Sequence, residues 1–112
     1  MKIYHNPRCS KSRQGLEILK NSGHEFEVVD YLHHPPSKIE LKEVLNMLGL
    51  TPIQLVRKNE AIWKENYRNK ELTDDAIIEA MCEHPKLIER PIVIRGNHAV
   101  LGRPPENIEK FL

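Results

Sequence analysis

The chain has 112 residues, 39% of them hydrophobic and 29% charged, with a formal charge of +1. That length fits one small domain with its own core and leaves no room for a second. The near-neutral charge gives no global basis for binding nucleic acid, so any anion site must come from locally placed arginines. Residues 1–7 lack the apolar stretch of a signal peptide, and no run along the chain is long enough for a membrane span. A cytoplasmic protein is expected, in which Cys9 and Cys82 stay reduced rather than forming a structural disulfide.

Ile3 and Tyr4 predict a short strand that ends at Asn6-Pro7. Leu16, Ile18 and Leu19 mark the helix that follows, and Asn21-Ser22-Gly23 stops it with glycine just past the end. Residues 26–31 read as a second strand, spaced from the first as in a βαβ unit with parallel strands. After the break at His33-His34-Pro35-Pro36, Ser37 and Glu40 have capping-box spacing. Ile39, Leu41, Val44, Leu45 and Leu48 then form an apolar stripe ending near Gly49. Thr51-Pro52 opens a short helix through Val56.

Trp63 and Tyr67 are four apart and predict a packing pair on a further helix. There the alternation of Lys58, Lys64, Arg68 and Lys70 with Glu60, Glu65 and Glu71 predicts a solvated face. Thr73-Asp74-Asp75 starts another helix, ended by His84-Pro85, whose face of Ile77, Ile78, Met81 and Cys82 makes Cys82 an inert core thiol. Residues 91–95 and 98–101 flank Gly96-Asn97, a two-residue hairpin signal, and Pro104-Pro105-Glu106 opens a closing helix. The order β-α-β, helices, β-β-α is the thioredoxin and glutaredoxin topology. It predicts one α/β domain with a four-stranded mixed sheet and a helical insertion at about residues 37–88.

Cys9 falls where the first strand gives way to the first helix. Unpaired amides and the positive end of the helix dipole favour its thiolate there. Arg8, Lys11 and Arg13 push the same way, as His5 would if protonated. In this topology a proline starts the strand facing the cysteine, and Pro91 is in place for it, with a cis Arg90-Pro91 bond expected. Ser12 stands where a Cys-x-x-Cys motif has its second thiol, so reducing equivalents must come from outside. Arg57, Arg90 and Arg103 lie beside turn or proline signals, and guanidinium forks suit a tetrahedral oxyanion. His33-His34 lacks the spaced partners of a metal site, and none is expected.

The segments His5-Asn6-Pro7-Arg8-Cys9 with Ser12-Arg13, Leu55-Val56-Arg57-Lys58, Arg90-Pro91-Ile92-Val93 and Gly102-Arg103-Pro104 resemble those of the ArsC family of glutaredoxin-coupled arsenate reductases, in the same order. The resemblance implies Cys9 as the nucleophile towards arsenate, with Arg57, Arg90 and Arg103 binding the oxyanion. It implies that His5, Ser12 and Arg13 activate the thiolate. Glutathione would be the co-substrate, with no bound cofactor, and glutaredoxin the partner that resolves the resulting disulfide. The chain departs from many members at Ser10-Lys11, where they have Gly-Thr, and it lacks the C-terminal extension of longer ones. Two other activities remain open: a general glutathione-linked thiol oxidoreductase, and a redox-sensing regulator that binds RNA polymerase. The regulators typically switch through Cys-x-x-Cys, which Ser12 interrupts. A phosphatase-like Cys-x5-Arg loop is excluded by Gly15.

Overall fold

A computed structural model describes residues 1–112 as two compact units, one formed by Met1–His34 with Arg90–Leu112 and the other by Pro35–Glu89. The first unit holds strand β1 (Lys2–Tyr4), helix α1 (Ser10–Ser22) and strand β2 (Glu27–Val29). It is completed by β3 (Ile92–Arg95), β4 (His98–Leu101) and α5 (Glu106–Phe111). The strands form a four-stranded sheet in the order β2-β1-β3-β4, with β1 parallel to β2 and antiparallel to β3. This is the mixed sheet expected from the element order. β2 is shorter than the 26–31 run suggests, because the chain turns after Val29. Buried Tyr31 instead stacks on Tyr4, with ring centroids 5.9 Å apart.

The hairpin sets the register at the working end of the sheet. Gly96 has φ 59° and no non-glycine residue has positive φ, as in a type II′ turn, where only the first central position needs glycine. From that turn the pairs run Arg95↔His98, Ile94↔Ala99, Val93↔Val100 and Ile92↔Leu101. The Gly102 amide then donates to the Pro91 carbonyl at 2.8 Å, which brings Arg90 and Arg103 level with one another. Ile3, Leu19, Val93 and Ile108 form the buried core of this unit.

The second unit contains α2 (Lys38–Leu48), a 3-10 turn (Pro52–Leu55), α3 (Ala61–Asn66), α4 (Asp74–Glu83) and a second 3-10 turn (Pro85–Leu87). The Ser37–Glu40 capping box is made in both directions, at 3.1 and 3.3 Å, so two otherwise unpaired amides are satisfied. The short helix expected after Thr51 is a single 3-10 turn over Pro52–Leu55. Val56 leaves it in extended conformation to bridge Ile88. Trp63 is buried and stacks on Tyr67 at 5.4 Å.

Two glycines permit close packing in the first unit. A Cβ on Gly15 of α1 would lie 2.8 Å from both Ile108 Cδ1 and Pro91 Cγ, and one on Gly102 would lie 2.6 and 2.8 Å from the same two atoms. Substituting Gly15→Ala should therefore destabilise the fold by about 1–3 kcal/mol. A lowered urea midpoint measures this, with Gln14→Ala on the exposed face as the silent control.

Candidate active site

Cys9 is the N-cap of α1, in extended conformation at φ −100° and ψ 123°, and its carbonyl accepts the Arg13 amide at 3.0 Å. The loop before it is held largely by Asn6. The Asn6 carbonyl accepts the Cys9 amide at 3.1 Å and its side-chain Oδ1 accepts the Arg8 amide at 3.0 Å. The Asn6 amide donates to Ser12 Oγ at 2.8 Å, and His5 Nδ1 lies 2.7 Å from the same hydroxyl. His5 also extends the parallel ladder, its amide donating to the Val29 carbonyl at 3.2 Å. His5, Asn6, Cys9 and Ser12 are all buried, so these bonds are shielded from competing water.

The Cys9 thiol is held below its ordinary pKa by a contest of opposing effects. Burial is the largest and raises it. The Ser12 amide, the Arg90 charge, the Lys11 amide and direct donation from Arg90 together outweigh that burial. The amides belong to the first turn of α1, where no carbonyl partners exist within the helix. Ser12 thus acts on the sulfur through its backbone, while its hydroxyl serves His5 and Asn6.

The histidine is pushed below its ordinary value, chiefly by burial and further by Lys20 and Arg13, with only Ser12 opposing. The shift favours the uncharged imidazole. Arg13 donates from its guanidinium to the Pro7 carbonyl at 2.8 Å, fastening the loop from outside.

Arg90 is buried beside the cysteine, and Arg103 donates from Nη1 to the Arg90 carbonyl at 3.4 Å. The Arg90–Pro91 bond is cis. So is Arg103–Pro104, which sequence gives no reason to expect. Cys9, His5, Ser12, Arg13, Arg90, Pro91 and Arg103 all belong to the first unit. Arg57 belongs to the second, where its amide donates to the Leu87 carbonyl at 2.7 Å and its Nη1 pairs with Glu60 Oε1 at 2.8 Å.

Sequence reading missed Asn6 as the organiser of the loop, although an Asn-Pro pair is a turn signal whose side chain can bond the backbone two residues on. It also placed Glu60 on a solvated face. The Glu60 carboxylate is only 24% exposed and is engaged by Arg57. Cys82 is a free thiol that is partly rather than fully buried, and burial raises its pKa. No group of three or more His, Cys, Asp and Glu side chains is gathered as a metal site, and His33 instead pairs with Asp30 at 2.8 Å in the open. No helix is long and apolar enough to cross a membrane.

A β-α-β, β-β-α sheet with a low-pKa cysteine at the head of its first helix and a cis proline on the strand end beside it is a thioredoxin-like fold. Within that class, residues 4–111 match the model of the ArsC family, and the chain belongs to that family. It is 47% identical over 110 residues to the uncharacterized protein YfgD of Escherichia coli, covering 96% of this chain and 92% of that one. It is 46% identical over 114 residues to an arsenate reductase of Neisseria meningitidis serogroup B, covering 100% and 97%. An arsenate reductase structure from Vibrio cholerae superposes with a TM-score of 0.93 at 47% identity, covering 100% and 98%.

Alkylation of Cys9 by iodoacetamide should show a pH midpoint clearly below the free-thiol value of about 8.5, and Arg90→Gln should move it upward. Ionisation also stabilises the fold, because the folded value lies below the unfolded one. That contribution is complete above the unfolded value and is lost as pH falls through the folded value. Cys9→Ser should remove this pH dependence from urea unfolding curves measured between neutral pH and about 9.

Proposed function

We propose that this chain is an arsenate reductase that works through Cys9, with glutathione as co-substrate and glutaredoxin as its protein partner, in the cytoplasm. The observation that carries the reading is the Cys9 thiol, held below its ordinary pKa at the head of α1 by helix amides and Arg90. Near-full-length similarity to proteins named arsenate reductases supports the substrate.

The Cys9 thiolate attacks the arsenic of arsenate, an S–As bond forms, and one oxygen leaves as water after taking up protons. Glutathione then attacks, and a disulfide forms between Cys9 and glutathione. The electron pair of the S–As bond stays on arsenic, which is reduced from As(V) to As(III) and released as arsenite. Glutaredoxin resolves the mixed disulfide and returns the Cys9 thiolate. This route suits a motif in which Ser12 replaces any resolving thiol.

In this scheme Arg90 has two tasks: it favours the thiolate and offers donors to the oxyanion charge. Arg103, tied to the Arg90 carbonyl, adds a second guanidinium from the facing strand end. Arg57 enters the scheme from the family pattern alone. Fixed cationic donors favour a transition state whose negative charge sits on arsenate oxygens, because they need no reorganisation when that charge shifts. The buried Asn6–Ser12–His5 bonds keep the sulfur at the helix mouth throughout.

An NADPH-coupled arsenate assay with glutathione and glutaredoxin should show NADPH oxidation by the wild type and none by Cys9→Ser. Arg103→Ala should lower arsenate turnover at least tenfold, an effect of about 1.4 kcal/mol, and should lower reduction of a glutathione mixed disulfide far less. Equal losses on both substrates would instead mark a general thiol oxidoreductase.

A further inference from the structure

We infer that Glu60 is a positioning residue that holds the Arg57 guanidinium ready for an oxyanion. The inference rests on the proposed reading of Arg57 as an oxyanion ligand and adds the means by which that ligand is kept in place. The Arg57 backbone is fixed on both sides. Its amide donates to Leu87 at 2.7 Å, the adjoining Val56 bridges Ile88, and its carbonyl accepts the Glu60 amide at 3.1 Å. The side chain beyond that anchor is long and flexible, and it needs a partner to stay in one rotamer.

Glu60 supplies that partner. It is the N-cap of α3, yet its side chain makes no capping bond, although a carboxylate at a helix start would ordinarily turn to the free amides. Lys64 also stands at the favourable i+4 spacing for an ion pair on the helix. The carboxylate bonds Arg57 Nη1 instead, at 2.8 Å, with both side chains 24% exposed and so partly sheltered from solvent screening. A guanidinium has five N–H donors in one plane, so a bond through Nη1 leaves the remaining donors for a second anion. The opposing effect is the carboxylate charge, which repels an incoming oxyanion and separates the variants below.

The test is arsenate binding by calorimetry in a Cys9→Ser background, where no covalent step follows, with Arg57→Ala, Glu60→Ala, Glu60→Gln and the Arg57→Ala/Glu60→Ala double variant. Glu60→Ala should weaken binding about threefold to tenfold, while Glu60→Gln, which can still accept the Nη1 bond, stays within about twofold. The double variant should bind no worse than Arg57→Ala. Urea midpoints should match across the set, which separates positioning from a loss of folding. Weakened binding in Arg57→Ala with none in Glu60→Ala overturns the inference and leaves Arg57 as a ligand. Tighter binding in both Glu60 variants also overturns it, showing the carboxylate to be a competitor. Unchanged binding in Arg57→Ala removes Arg57 as a ligand and this inference with it, without touching the role of Cys9.

Discussion

The close approach of Pro91 and Ile108 to two glycines is the constraint on which the unit that carries Cys9 depends. Gly15 lets α1 sit against Pro91, and Gly102 lets the neighbouring strand end do the same, at separations that a single methyl group would close. The proline is thereby clasped between the helix that begins at Cys9 and the strand end that carries Arg103. Any change in the depth of α1 would move the thiol relative to Arg90, the residue bonded directly to that proline. Close packing of this kind transmits small shifts rather than absorbing them, because a well-filled interior has little free volume.

On that frame the chemistry is a balance of burial against local donors. Cys9 is buried enough for desolvation to be the largest single influence on its ionisation, and it acts against the thiolate. The same burial strengthens the amides of Ser12 and Lys11 and the charge of Arg90, since each acts through less water. The site therefore favours a thiolate that is poorly solvated, and a poorly solvated thiolate is the more reactive form. Asn6 makes the arrangement self-consistent, because its amide, carbonyl and side chain each satisfy a polar group that the sharp turn into α1 would otherwise strand.

The parts legible in sequence were those fixed by local chemistry. Gly96-Asn97 specified the hairpin, and the hairpin register alone places Arg90 level with Arg103. Ser37 and Glu40 specified the start of α2, and Gly23 and Gly49 end their helices in the left-handed conformation that favours glycine. What sequence hid was set by tertiary partners. Tyr31 looked like a strand residue because it is apolar and β-favouring, yet its burial comes from stacking on Tyr4. Ser12 could be read as the absence of a second cysteine and, from the family resemblance, as a thiolate-activating residue, but its bonds to His5 and Asn6 are made only through folding. Glu60 looked like one charge among alternating neighbours, and only the turn at Arg57 shows where its carboxylate goes.

The burial that lowers the pKa of His5 has a consequence for how reactivity depends on acidity. It favours the uncharged imidazole, while at Cys9 the helix amides and Arg90 outweigh burial, so both groups are held below their ordinary values. The thiolate of Cys9 thus persists to lower pH than that of a free thiol, and acidity sets how many molecules carry it.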